Sequence, residues 1–382
     1  MRGSRRRGRR PGTWELRLDA GIDPLNGRRL QRSVTFEGTA READRRLAEL
    51  MMENKHGRLR SSSCTVAELL EAGLEQAEAE GLERTTLRGY RRVAESQIVP
   101  ALGTKSIAKL TAEDLDRFYR ALAKAGYAQS TIHQVHVVLR RVLESARRWG
   151  WISYNPARDA RPPRVPKPDP QPVTPEQIQR LLDCAYVMNP ELAVCLTLAA
   201  DTGARRGELC ALRWTCLDLA TGKVRFERSI GEADGTYEKD TKNHQHRTVT
   251  MSPFAVEALR AHRKSMRERA LACGVHLADD AYVFSAAADG STYWRPSTLS
   301  NTFRSLRDRA GLPATVKLHG LRHTQVTQLL DAGVPLRTVS GRVGHRNPST
   351  TTNIYSHWIA ETDERAADVV ADRIWSNREQ RR

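Results

Sequence analysis

The chain has 382 residues, and its 62 Lys and Arg against 45 Asp and Glu leave a formal net charge of +17 at pH 7. At roughly 150 residues per domain the length predicts two or three domains with real cores, not a small stapled scaffold. Hydrophobic residues at 39% and charged residues at 28% are ordinary for a soluble globular protein. No stretch approaches the roughly 20 apolar residues of a bilayer-spanning helix, so a membrane partner is not expected. The positive excess favours a polyanionic partner over a small neutral substrate.

The excess is uneven. Residues 1–60 carry 16 basic and 8 acidic side chains, residues 61–171 carry 17 and 13, and the remaining 211 carry 29 and 24. The six cysteines, at 64, 184, 195, 210, 216 and 273, form no Cys-x-x-Cys pair and no cluster with histidines at metal-ligand spacing. A reduced, metal-free cytosolic protein without a cofactor is expected.

The first ten residues hold six arginines, among them Arg5, Arg6, Arg7, Arg9 and Arg10, followed by Pro11 and Gly12 in place of an apolar signal region. They read as a flexible basic arm, or more plainly as a solubilising tail. From Trp14 through Leu16, Leu18, Leu30 and Val34 to Phe36 the apolar residues recur at short alternating intervals, which predicts a small antiparallel sheet turned at 23–27. A charged helix from about Thr39 to Lys55, with Ala43, Leu47 and Leu50 inward, closes this unit.

A serine-rich linker follows, and Thr65 with Glu68 forms a capping-box pattern before a helix through Val66, Leu69, Leu70 and Leu74. Further helices are expected near 84–97, 111–125 with Thr111 capping and Asp114 at its third position, and 130–148 with Ser130 capping. The result is an all-helical domain. Between Asn155 and Pro175 lie seven prolines interspersed with Arg158, Arg161, Arg164 and Lys167, a composition too stiff and polar for a helix or sheet. It reads as an interdomain linker, either a connector whose cations contact a nucleic-acid backbone or a plain spacer.

From Thr174 the pattern is mainly helical, with one strand-like interval at Val224, Phe226, Arg228 and Ile230 that returns after a long turn through Arg247, Val249 and Met251. Helices are predicted near 253–272, 298–310, 319–331 and 335–343.

This C-terminal half holds the residue types needed to cut a phosphodiester without a metal: fixed guanidiniums for the charge developing on the nonbridging oxygens, a nucleophile and a proton donor. An apolar helix ends at Gly203, so Arg205 stands at the start of the next, where backbone N–H groups also favour an anion. Glu208 reads as an orienting partner for it, since a carboxylate beside a phosphate is repelled. His319 and Arg322, three apart, share a helix face beside His323. Each also has an ordinary reading: Arg205 and Arg322 as surface charges, His319 as a satisfied buried ring. A later helix breaks at Gly344, leaving His345 at its end, with Tyr355 ten residues on in a polar context. Lys242 lies in the turn between the two strand intervals, where a lysine can donate a proton or simply add solubility.

In order, these blocks resemble the tyrosine recombinase family of the lambda-integrase type. The stretches that match are Thr202–Leu209 with Leu212, Arg213 and Trp214; Thr241 and Lys242 followed by Arg247 and Val249; His319–His323; and Gly344 and His345 through Thr351 and Thr352 to His357. The resemblance implies Arg205 and Arg322 as the clamp on the scissile phosphate and Tyr355 as the nucleophile. It implies His319 and His345 as accessory phosphate-binding and proton-handling groups, Lys242 as the general acid and Glu208 as structural support. The interval from Ile230 to Arg247 is long for the family and leaves Lys239 as a competitor for Lys242.

It further implies a multidomain fold. Residues 1–60 would be a basic tail and an arm-type DNA-binding domain of sheet plus helix. Residues 61–158 would be an all-helical core-binding domain, 159–173 a Pro-rich basic linker, and 174–382 a mainly helical α+β catalytic domain with a C-terminal tail. The expected reaction exchanges phosphodiesters through a 3'-phosphotyrosine, with no metal or cofactor. The expected partners are double-stranded DNA at core-type and arm-type sites, three further copies in a tetramer on paired sites, and accessory proteins such as a host DNA-bending factor and an excisionase. Such a protein would work in the bacterial cytoplasm on the nucleoid. A type IB topoisomerase-like enzyme and a catalytically silent DNA-binding regulator are the alternatives.

Overall fold

The computed structural model describes residues 3–8, 10–22, 29–55, 64–166, 172–241 and 246–344. The chain divides into two compact units, Met1–Pro166 and Lys167–Arg382.

The first unit opens with a three-stranded antiparallel sheet of β1 (Gly3–Arg7), β2 (Thr13–Ile22) and β3 (Arg29–Glu37), in that order. The expected β2–β3 pairing is present, with Trp14 opposite Phe36 and Leu16 opposite Val34. The expectation of a flexible arm is corrected, because Gly3–Arg7 pairs in register with β2 from Leu18 to Trp14. Arg5 lies 4.9 Å over the Trp14 ring and pairs with Asp44 at 2.7 Å, so ladder hydrogen bonds and a cation–π contact replace the missing apolar alternation. Helix α1 (Ala40–Lys55) covers the sheet with Ala43 and Leu50 buried and Leu47 packed against them. The turn at 23–27 lies outside the described residues.

The helical part runs through α2 (Val66–Ala79), α3 (Arg84–Val93), α4 (Val99–Leu102), α5 (Ala112–Lys124) and α6 (Gln129–Arg148). Thr65 and Thr111 cap as expected, each in a reciprocal box with the residue three further on. Between α3 and α4 a π-helical turn, Ala94–Ile98, precedes Pro100. A widened turn there relieves the clash a proline ring makes with the carbonyl four residues back. Ser130 is not a cap: α6 begins at Gln129 behind Ala128, which makes no side-chain capping bond. The core is almost wholly apolar, with Leu69, Leu115, Ile132, Val135 and Leu139 sealed from solvent.

The Pro-rich interval is a linker only in part. Asn155 is fully buried and donates to the Arg140 carbonyl at 3.0 Å and to Glu144 at 3.1 Å, and Ala157 and Ala160 join the helical core. On the far side Val173 is buried in the core of the second unit.

The second unit begins with α7 (Pro175–Met188), capped by Thr174, and α8 (Pro190–Thr202). Helix α8 stops at Gly203, whose φ of 63° is left-handed, and a Cβ there would meet the Gln325 side chain at 2.2 Å. The short α9 (Arg206–Cys210) follows. Strands β4 (Leu217–Asp218) and β5 (Lys223–Phe226) open a sheet. Next come β6 (Arg228–Glu232) and β7 (Thr236–Asp240). Strand β8 (Arg247–Thr250) returns to β5, with Val224 opposite Val249. The single long turn expected here contains a second antiparallel hairpin, β6–β7, which accounts for its length.

Four helices complete the described chain: α10 (Pro253–Ala272), α11 (Pro296–Arg309), α12 (Leu318–Asp331) and α13 (Leu336–Val343), close to their predicted spans. Among the described residues no helix is long and apolar enough to cross a membrane.

Candidate active site

The site forms where the α8–α9 turn, β8, the start of α12 and the end of α13 meet. Glu208, only 2% exposed, is its hub. Its Oε1 accepts from Arg205 Nη1 at 2.9 Å and from Arg247 Nη1 at 3.0 Å. Its Oε2 accepts from the Arg205 backbone N–H at 2.8 Å and from Arg247 Nη2 at 2.6 Å. Burial would raise the Glu208 carboxyl, but the hydrogen bonds and charge of Arg247, with Arg205 behind them, hold it down at about 2.

Arg205 stands just before α9 and donates Nη2 to the Gly344 carbonyl at 2.7 Å. Its side chain keeps 31% of its surface open, so it can meet a ligand while anchored at two points. Arg322 is 3% exposed and donates Nη1 to the Gly203 carbonyl at 2.6 Å, which ties α12 to the turn that carries Arg205. His319 sits one helical turn earlier, its ring edge-on to His323 at 4.8 Å between centroids. His319 is exposed at the surface; its partial desolvation, then the charges of His323, Arg322 and Arg205, push its pKa down to about 4. At neutral pH His319 is therefore an uncharged ring beside two guanidiniums, able to donate or accept one hydrogen bond. It borders a cleft of about 470 Å³ whose cationic lining is Arg206, Arg304, Arg307 and Lys317.

Helix α13 is pinned by a second arginine. Arg342 donates to the Thr250 carbonyl at 3.0 Å and to the Asp201 carbonyl at 2.8 Å, while its own carbonyl accepts Arg247 Nε at 3.0 Å. The helix ends at Gly344 with φ 69°, and a Cβ there would lie 3.2 Å from the Arg247 side chain. Arg205 and Glu208 at the start of α9 are thus linked to the end of α13, and Arg322, one turn along α12 from His319, to the α8–α9 turn. Lys242, His345 and Tyr355 lie outside the described residues. Lys239 is on β7 opposite Ser229, with its Nζ 5.7 Å from the Tyr237 ring.

Sequence reasoning missed Arg247 and Arg342 as members of this network. A signal existed for the first: β8 alternates buried and exposed, and Arg247 occupies the inward phase with Val249. A charged residue on the inward side of a strand calls for a buried counter-charge.

Of the nucleic-acid candidates, Arg6 and Arg7 are exposed on β1 and Arg10 is exposed beyond it, whereas Arg5 is engaged within its own domain. Arg158 pairs with Glu144 at 3.0 Å, and Arg161 and Arg164 are exposed. Arg9 and Lys167 lie outside the described residues.

Comparison with known proteins places the chain in a family. The "Phage integrase family" matches residues 171–361, half of the chain, and the "Phage integrase, N-terminal SAM-like domain" matches residues 65–123. The chain belongs to the phage integrase family. A "Tyrosine recombinase XerC-like" protein of Caldanaerobacter subterraneus subsp. tengcongensis is 30% identical over 278 residues, 68% of this chain and 70% of its own. An "Integrase" of Streptomyces ambofaciens is 26% identical over 381 residues, 95% of this chain and 93% of its own.

The fold is shared with the Tn1549 transposon integrase in complex with a circular intermediate DNA, at a TM-score of 0.66 and 21% identity, covering 76% of this chain and 95% of that one. It is shared also with a lambda integrase in a tetramer bound to a Holliday junction, at 0.61 and 16%, covering 90% and 92%. This phage integrase family member is a DNA strand-breaking and rejoining enzyme of the tyrosine recombinase type. The topoisomerase reading is set aside.

Proposed function

We propose that the chain integrates or excises a phage or other mobile element by site-specific recombination, with Tyr355 as the nucleophile and Arg205 and Arg322 as the clamp on the scissile phosphate. The observation that carries the reading is the convergence of Arg205, Arg322 and a neutral His319 around the α8–α9 turn. Two guanidiniums supply the charge that a transferring phosphoryl group needs. Arg205 would meet the phosphate from its open side, while Arg322, nearly covered, would add its charge from within the fold.

In this reading Tyr355 attacks the phosphorus, the 5'-oxygen leaves with a proton from Lys242, and a 3'-phosphotyrosine remains. The 5'-hydroxyl of a partner duplex then attacks that linkage and releases the tyrosine. His319 and His345 hold phosphate oxygens and handle protons. Glu208 keeps Arg205 in place, and the intact residue set argues against a silent regulator.

Residues 1–60 would bind arm-type sites through exposed cations such as Arg6, Arg7 and Arg10, residues 61–158 and 174–382 would bind core-type sites, and 159–173 would join them through Arg161 and Arg164. Four copies on paired sites, with a DNA-bending protein and an excisionase setting direction, would complete exchange in the bacterial cytoplasm.

The test is covalent trapping on a nicked duplex spanning the crossover site, mapped on DNA flanking this gene. Wild type should give a detergent-resistant adduct, and Tyr355→Phe should bind the duplex without forming one. An adduct that persists in Tyr355→Phe would sink the assignment of the nucleophile.

A further inference from the structure

We propose that Arg247 is a positioning residue for strand cleavage: it neutralises Glu208 from the interior, so that Arg205 keeps its charge for the scissile phosphate. The inference rests on the reading of Arg205 as part of the clamp. Arg247 grips both oxygens of Glu208 with a two-pronged fork, at 3.0 and 2.6 Å. The Arg205 side chain takes only Oε1, at 2.9 Å, and spends its other prong on the Gly344 carbonyl at 2.7 Å. The Arg247 side chain is 7% exposed against 31% for Arg205, so the two guanidiniums divide into an inner and an outer one.

The charge balance gives this division its consequence. Two guanidiniums around one carboxylate leave a net positive charge, and it resides on the outer, accessible member. With the inner cation removed, a buried carboxylate must find its whole counter-charge in Arg205. A bidentate Arg205–Glu208 pair is the strong geometry then available, and it turns the fork away from the ligand while cancelling its charge. Arg247 lies 4.6 Å over the Phe226 ring, which stabilises the cation where no anion from outside can reach it.

The same side chain fixes the far end of the site. Its Nε holds the Arg342 carbonyl at 3.0 Å, two residues before the Gly344 carbonyl held by Arg205. One ion cluster therefore sets both the outer guanidinium and the last turn of α13, directly before His345.

The test uses the full chain on the nicked duplex, with cleavage rate, DNA affinity and thermal melting measured separately for wild type, Arg247→Met, Arg247→Lys, Glu208→Gln and the double variant Arg247→Met with Glu208→Gln. Arg247→Met should cleave on the order of 100-fold more slowly, as expected when a reacting group is misplaced, with DNA affinity within about threefold of wild type. Removing the uncompensated carboxylate should restore rate, so the double variant should cleave faster than Arg247→Met alone. A double variant no faster than Arg247→Met overturns the proposal, as does a loss of DNA affinity that matches the loss of rate.

Should Arg247→Met not melt as a folded protein, Arg247→Lys carries the test. It keeps the charge but not the fork, and should be slower by about tenfold with affinity unchanged; a wild-type rate overturns the proposal. A wild-type chain that forms no adduct sinks the recombinase reading instead, a result distinct from wild type and Arg247→Met cleaving equally well.

Discussion

The helical domain and the catalytic unit treat charge in opposite ways. In the helical domain the interior is Leu69, Leu115, Ile132, Val135 and Leu139, and ion pairs stay on the rim: Arg117 and Glu113 keep 68% and 75% of their side chains exposed. Such pairs contribute up to about 1 kcal/mol and are screened by salt. In the catalytic unit Glu208 and Arg247 pair at 2% and 7% exposure, with Arg322 buried nearby. Taking those groups out of water costs several kcal/mol per ion before pairing recovers it, so packing alone would favour apolar replacements. The contrast teaches that the helical domain keeps its charges outside an apolar core, whereas the second unit holds fixed cations in its interior, the feature that a clamp on a phosphate would use.

The strongest attempt to break this contrast removes one residue from each interior. Arg322→Ala should lower the rate of covalent adduct formation by roughly 1000-fold, the upper range for losing a donor to a developing oxyanion. Leu139→Ala should cost about 2–5 kcal/mol in stability through lost burial and a residual cavity. Measured on the folded, DNA-bound fraction at saturating duplex, its cleavage rate should match wild type. A fall in Leu139→Ala cleavage as deep as that of Arg322→Ala would erase the distinction between the units.

Acid sharpens the comparison by a smaller margin. Glu208 titrates at about 2 in the folded chain against an ordinary 4.5, with Arg247 and Arg205 outweighing its burial. A carboxyl whose folded pKa is depressed adds stability that is complete above the unfolded value and is lost as pH falls through the folded one. The shift corresponds to about 3 kcal/mol, withdrawn between about pH 5 and pH 2. Urea unfolding of wild type and Glu208→Gln across that range should show a shallower acid limb in the variant. Asp114 and Glu144, also held at about 2, on the rim of the helical domain by their hydrogen bonds to Lys105 and Arg147, are present in both proteins and drop out of the difference. Parallel acid limbs would mean that Glu208 is not the buried anion its contacts describe.

Local signals carried most of what was legible. Caps at Thr65 and Thr111, left-handed helix ends at Gly203 and Gly344, and the three-residue spacing of His319 and Arg322 depend on neighbours in sequence, so pattern alone finds them. Features made by distant partners were not legible. Strand Gly3–Arg7 has no apolar alternation and exists because β2 offers it a ladder. The buried stretch around Asn155 looks polar until the Arg140 carbonyl and Glu144 receive its amide. Ser130 fits a capping pattern, yet α6 starts one residue before it. Arg247 shows only as a charge on the wrong phase of a short strand, and its partner Glu208 lies 39 residues earlier.

The smallest effect concerns one device used in both units. Thr111 and Asp114 make a capping box, Thr111 Oγ1 accepting the Asp114 N–H at 3.2 Å and Asp114 accepting the Thr111 N–H at 2.9 Å. Arg205 and Glu208 reproduce half of it, the carboxylate three residues on accepting the N–H before α9 at 2.8 Å. In the first case the box lies at the surface and satisfies helix-end donors; in the second the same carboxylate is buried and also carries two guanidiniums. Thr111→Ala should therefore cost about 1 kcal/mol of stability and nothing in cleavage rate. Glu208→Gln keeps an oxygen for the Arg205 N–H, so its loss in cleavage should exceed what its neutral-pH stability alone explains. If Thr111→Ala slowed cleavage of bound DNA, or if Glu208→Gln lost rate only in step with its fraction unfolded, the two boxes would be equivalent and the charge on the second would be irrelevant to its position.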